Sequence, residues 1–245
     1  MRLTSELGEI EPMAKRPVFL PAPERGLVGE RLVDFEWFPG FAAVQKQRSI
    51  ESLHAAASTD FGMNRLLEVS TKSLDHLGVR LSAFNLSVSL PGTERLILME
   101  AAFQGSKVFS GQGPFPHLYE VSSGREVRRF MKDLPPDQLI GFRYANDDWE
   151  LTPKTAFYDW LYLTGVRQLA AEDDSIDESL GAYEAFTDIE FNPKKSINCQ
   201  ARSCALYVSL SVRGILHDAL SDPGAFVEVL SSNGYGVEPD QGQLL

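Results

Sequence analysis

One apolar stripe constrains the architecture of this chain more than any other feature. Ile197, Ala201, Ala205, Val208 and Val212 recur at helical spacing, introduced by Pro193-Lys-Lys-Ser196 and ended near Gly214. The spacing predicts a long helix with one apolar face, and such a face is stable only when other elements cover it. Candidates for that cover lie upstream. Residues 66–69, 79–90, 95–99 and 139–144 have strand-like composition, and 33–40 alternates apolar and polar before breaking at Pro39-Gly40. Further helices are expected over 43–57 (Val44, Ile50, Leu53, Ala57), over the basic 124–132, and from Thr152-Pro153 through Phe157, Trp160 and Leu161 to Gly165. The proline-rich 17–29 reads as an extended lead-in, the acidic 172–178 as a solvated loop, and 186–195 as irregular. No Pro/Ser linker divides the chain, which predicts one domain of α+β class over 13–230. Residues 1–12 read as a disordered or non-native tail, with translation starting at Met1 or Met13, and 231–245 as a flexible tail.

Composition excludes several function classes. At 43% hydrophobic and 23% charged, 245 residues can bury a core. No apolar run is long enough for a membrane span and no signal peptide is visible, so a cytoplasmic protein without membrane contact is expected. Cys199 and Cys204, five apart on a helix, would hold their Cα atoms beyond about 7 Å, too far for a disulfide; both read as buried thiols. His54, His76, His117 and His217 are dispersed, and no metal or organic cofactor is expected. Dinucleotide and phosphate-binding glycine loops, the nucleophile elbow and the H-E-x-x-H zinc motif are all missing. A net charge of −11 argues against binding duplex DNA by bulk electrostatics. A nucleic acid would need a local basic cleft, for which Arg125, Arg128, Arg129 and Lys132, or Lys194 and Lys195, are the available clusters.

Four polar and aromatic groupings could carry chemistry. In Glu100-Ala-Ala-Phe-Gln-Gly-Ser-Lys107 a helix would align Glu100, Gln104 and Lys107 in one stripe, with Ala102, Phe103 and Ser106 on the other side. The others are Phe84-Asn85, Asp147-Asp148-Trp149, and Asp188-Ile-Glu190 followed by Asn198 and Arg202. Each also has a structural account: a wet helix face for Glu100 and Lys107, a turn cap for Asn85, core for Trp149, an exposed loop for Asp188, and a surface pair for Arg202 with Asn198.

In this order the groupings resemble the NADAR (YbiA-like) superfamily, which carries an E-x-x-[YF]-Q-x-x-K helix, a later Asp-Trp and a C-terminal Asp segment before an asparagine. Glu100, Phe103, Gln104 and Lys107 match the first motif in full and Asp148-Trp149 the second, while Asp188 and Asn198 stand where the third is expected. Phe191-Asn192 replaces the family's Trp-Gly. Phe35-Glu-Trp-Phe-Pro-Gly-Phe41, Leu67-Glu-Val-Ser-Thr-Lys-Ser73 and Lys154-Thr-Ala-Phe-Tyr-Asp-Trp160 are similar to one branch, the antitoxins paired with DarT-type toxins that ADP-ribosylate guanine in DNA.

The resemblance implies a helix-rich domain with a small β-sheet. It also implies an N-glycosidase that removes ADP-ribose from guanine, with ADP-ribosylated DNA or ADP-ribose as ligand and a DarT-type toxin as partner. Glu100 is then the main acid/base or cation stabiliser and Asp188 the second carboxylate. A neutral lysine could instead form a Schiff base at C1″. Lys46, with Arg48 near it, is expected to be the better nucleophile, and Lys107, aligned with Glu100, the better positioner; a solvated helix residue is the plain alternative for Lys46. Trp37, Phe84 and Trp149 would stack on bases, Asn85, Gln104 and Asn198 would hold ribose hydroxyls, and Lys195 and Arg202 would hold the pyrophosphate. Two other readings use the same residues: a glycosidase acting on a ribosylated riboflavin-pathway metabolite, and an antitoxin that binds without cleaving.

Overall fold

The structure is a computed structural model that describes residues 13–235. The expectations for 1–12, and those for 236–245, lie outside the described residues. In chain order the elements are β1 (Met13–Ala22), β2 (Leu27–Glu36), α1 (Ala43–Phe61), β3 (Leu66–Glu68), α2 (His76–Arg80), β4 (Ser87–Ser89), β5 (Leu96–Leu98), α3 (Met99–Gly105) and β6 (Lys107–Phe109). There follow α4 (Gly124–Asp133), β7 (Leu139–Tyr144), β8 (Asp147–Trp149), α5 (Ala156–Glu172), α6 (Ser175–Gly181), β9 (Ala185–Thr187), α7 (Gln200–Val212), α8 (Leu216–Ala219) and α9 (Pro223–Ser232).

A four-stranded sheet in the order β2-β1-β9-β3 organises the fold. The β1–β2 hairpin runs in antiparallel register from Met13↔Glu36 to Ala22↔Leu27. Strand β9 joins β1 at Phe19↔Phe186 and lies parallel to β3 from Leu66↔Ala185 to Glu68↔Thr187. Helix α1 covers one face. Its Ile50, Leu53 and Ala57 recur on one side and pack with Val18, Val33, Phe35 and Ile189. Gly62 ends the helix in the left-handed conformation at φ 70°. Helix α7 covers the other face, with α5 beyond it. Phe157, Leu161, Tyr162, Leu163 and Val166 bury α5 on all sides, as expected of a central core helix. Two smaller sheets, β4-β5 and β6-β7-β8, flank this core and carry α3 between them.

The single α+β domain is as expected, but several elements differ from their sequence expectation. The stretch 17–29 forms most of a hairpin rather than a lead-in. Pro17 and Pro21 are tolerated because β1 meets β9 at one residue pair only, so most of its length behaves as an edge. The stretch 79–90 is not a strand: Asp75 Oδ1 accepts the Leu77 N–H to cap α2, and only 87–89 pairs. Helix α5 starts at Ala156, after Thr155 at φ 70°, and continues past Gly165. A Cβ at Gly165 would lie 3.2 Å from the Ser87 carbonyl oxygen, so this glycine serves close packing on β4 rather than termination. The acidic 172–178 is partly helical because Ile176 and Leu180, one turn apart in α6, are buried. Helix α7 begins at Gln200, leaving Ile197 exposed. It buries Cys204, Leu206, Tyr207 and Leu210 beside the anticipated stripe, because it lies between the sheet and α5. Both cysteines are free and buried. Burial also reaches into the stretch expected to be a tail, where Tyr235 packs under Arg202.

Candidate active site

Three segments converge on one cleft. The first is α3, which follows β5 directly and buries Glu100 in its first turn. Gln104, one turn on, donates from Nε2 to Glu100 Oε1 at 3.2 Å. The helix then stops. Ser106 bonds back to the Ala102 carbonyl at 2.7 Å, and Lys107 is already the first residue of β6, paired with Phe142. A Cβ on Gly105 would lie 2.5 Å from the Tyr119 ring, so only glycine permits this tight passage from helix to strand. The three polar residues are therefore not one helical stripe, yet all of them line the same cleft.

The second segment is α4, capped by Ser123. Arg128 donates from Nε to Glu100 Oε1 at 3.1 Å, and its guanidinium lies 4.2 Å from the centre of the Phe84 ring. A Cβ on Gly124 would come within 2.2 Å of that ring, so the glycine lets Phe84 lie under the helix.

The third segment follows β9. Asp188 is 8% exposed, and its Oδ1 accepts the N–H groups of Glu190 at 3.0 Å and Phe191 at 3.1 Å. Gln200 also bonds it, while Gln200 Oε1 accepts from Ala83 N at 2.9 Å. Beneath it lies Glu68, which accepts from Thr187 Oγ1 at 2.6 Å and Ile189 N at 2.9 Å. Burial first, and the neighbouring Glu68 second, push the Asp188 carboxyl up to about 8. Burial also raises Glu68. Lys107 moves the other way: burial disfavours its ammonium and outweighs the opposing pull of Glu100.

The cleft has two lobes. The polar lobe, of about 590 Å³, takes in Phe84, Glu100, Gln104, Lys107, Asp188, Lys195 and Asn198, seven of the residues singled out from sequence. A more apolar lobe of about 730 Å³ is lined by Leu139, Phe142, Leu151 and Ile197 among others. Phe103, Lys107, Tyr158, Lys195, Ser196 and Asn198 border both.

The structure places the remaining candidates elsewhere. Lys46 is on α1 with Nζ 4.6 Å from the Trp37 ring, and Trp37 packs edge-on to Phe35; neither lines the two lobes. Asn85 donates to the Val79 carbonyl at 2.7 Å, holding a turn. Trp149 is buried among Phe157 and Trp160. For Asn85 and Trp149 the arrangement is the turn and the core of the structural account, whereas Arg202 is not a surface partner of Asn198: it lies over the Tyr235 ring, within reach of Thr155 and near the Asp159 carboxyl. Sequence reasoning gave no individual role to Glu68, Tyr158 or Gln200. Glu68 carried a usable signal, as a lone carboxylate inside the apolar run of a short strand.

Among the described residues no helix is long and apolar enough to cross a membrane, and no group of His, Cys, Asp and Glu could hold a metal ion. A comparison with curated proteins finds no match. A model of the DarT1-associated NADAR antitoxins matches residues 14–237, nearly the whole chain and all three site segments. On that match the chain belongs to the DarT1-associated NADAR antitoxin family.

Proposed function

We propose that this antitoxin is an N-glycosidase that removes ADP-ribose from guanine bases in DNA and so reverses the action of a DarT-type toxin. The observation that carries this reading is the pair of carboxyls facing one cleft in different environments. Glu100 is ion-paired to Arg128, whereas Asp188 is pushed up by burial and by Glu68. Two carboxyls held apart in this way divide into a base and an acid. The C1″–N bond breaks with its electron pair going to the guanine nitrogen, which takes the proton of Asp188. Water adds to C1″ and gives its proton to Glu100, leaving free ADP-ribose and intact guanine.

The lobes suggest the orientation of the substrate. The distal ribose and guanine take the polar lobe between Glu100 and Asp188. The pyrophosphate crosses the shared wall at Lys195, Ser196 and Asn198, and the adenosine enters the apolar lobe. DNA phosphates run along α4, where Arg125, Arg128 and Lys132 border the cleft or the groove beside it. A local basic face of this kind reconciles a DNA substrate with a net charge of −11.

The test is incubation of the purified protein with an oligonucleotide ADP-ribosylated on guanine, followed by mass analysis. Free ADP-ribose together with the unmodified oligonucleotide is the expected result. An unchanged oligonucleotide with a folded protein contradicts the reading.

A further inference from the structure

We infer that Glu68 and Asp188 hold one proton between them, and that Glu68 is the positioning residue that keeps the cleft-facing carboxyl of Asp188 an acid. Strand register brings the two residues together. Glu68 and Thr187 are partners across the parallel β3–β9 pair, and Asp188 is the next residue. Glu68 accepts hydrogen bonds from the Thr187 hydroxyl and from the Ile189 backbone N–H, and so holds the two residues that flank Asp188. Glu68 is 3% exposed and Asp188 8%. Among the described residues neither carboxyl has a cation within ion-pair distance. Two adjacent buried carboxyls without a counter-ion do not both ionise.

None of the groups facing the pair forms an ion pair with it, and the cations that share its lobe, Lys107, Arg128 and Lys195 among them, are no exception. From β1, Arg16 feels Asp188 electrostatically without forming an ion pair. From α5 and α7, Tyr158 and Cys199 are both pushed up by burial, which keeps them neutral. Glu190, on the same loop as Asp188, adds further negative charge. From α1, His54 Nε2 lies 2.8 Å from Thr187 Oγ1, and burial lowers His54 to about 4, leaving it uncharged at neutral pH. Thr187 gives its hydroxyl proton to Glu68 and accepts from His54, so a hydrogen-bonded chain runs from α1 to Glu68.

For activity this inference rests on the glycosidase reading, but the proton can be read without substrate. Carboxyl-carbon NMR of the free protein, with Asp188 assigned through Asp188→Asn, is expected to show Asp188 titrating well above the usual carboxylate range. The Glu68 carboxyl carbon should move in the same step. In Glu68→Gln, which keeps an acceptor for Ile189, the Asp188 midpoint should fall by about one pH unit or more, and the alkaline limb of any pH–rate profile should move with it while KM stays put. Asp188 titrating in the ordinary range in the wild type, or an unmoved midpoint in Glu68→Gln, overturns the inference. The wild-type titration decides even if Glu68→Gln fails to fold. A co-titrating pair in a protein that releases no ADP-ribose supports the shared proton and contradicts the glycosidase reading alone.

Discussion

Glu100 has little freedom to move: it is buried in the first turn of α3, and Arg128 and Gln104 both donate to its Oε1. A fixed carboxylate suits a base that must meet water at one position. Glu100→Gln keeps the shape and removes the charge. It should slow ADP-ribose release by about 10²–10⁴-fold, the usual worth of a positioned acid or base, while free ADP-ribose still binds by calorimetry. In the proposed mechanism Asp188 sets the pH dependence. Its folded-state pKa of about 8 lies above the usual 3.8, so it stays protonated through neutrality and loses its proton as pH rises past about 8. Single-turnover release should therefore fall on the alkaline side in step with that ionisation. The two lysines separate by burial. Lys107 lines the cleft and is disfavoured as an ammonium, whereas Lys46 sits over Trp37. Any ADP-ribosyl adduct trapped by borohydride during turnover should map to Lys107, and an adduct on Lys46 would contradict the cleft assignment.

At the scale of elements, α4 is, under the proposed function, the face that distinguishes a DNA substrate from a small one. Replacing Arg125 or Lys132 by Glu should weaken binding of a modified oligonucleotide and lower the slope of log K against log salt by about 1 for each phosphate no longer neutralised, while leaving free ADP-ribose binding unchanged. Equal weakening for both ligands would place these cations at the ADP-ribose instead. Helix α4 and strand β7 were legible from sequence because their signals are local: a run of basic residues and a short stretch of strand-like composition. So were Glu100, Gln104 and Lys107, through their spacing, although Lys107 reaches the cleft from a strand rather than from the helix. What escaped was set by distant partners. Gly165 reads as a helix stop until β4 is seen against it, and the β1 prolines read as a loop until β2 pairs with them. Glu68 acquires its meaning only from Thr187, far along the chain, through a parallel register that no local pattern encodes.

At the scale of the whole molecule, one sheet is covered by α1 on one face and by α7 and α5 on the other, and the cleft opens where β9, α3 and α4 meet. Burying carboxyls at and behind a cleft costs stability. Asp188 has its pKa raised on folding, so the native state holds a proton that the unfolded state releases. The associated stability is complete below about pH 4 and is lost as pH rises toward 8. Burial has the opposite sign for His54, whose pKa falls from 6.5 to about 4, so its contribution is lost as pH falls through that window. Asp188→Asn should therefore raise the thermal midpoint at pH 8 and change it little at pH 4, as differential scanning fluorimetry at the two pH values would show. A stabilised but inactive variant is the pattern expected where function is held against stability.

The most direct test of the account compares wild type, Glu100→Gln and Asp188→Asn in single-turnover release of ADP-ribose from a guanine-modified oligonucleotide, with each protein shown to be folded and to bind free ADP-ribose. Release by wild type and its loss in both variants is the predicted result. Release that persists in both variants, or a wild type that binds ADP-ribose and leaves the guanine adduct intact, would contradict the claim that these two carboxyls form the active site of a glycosidase.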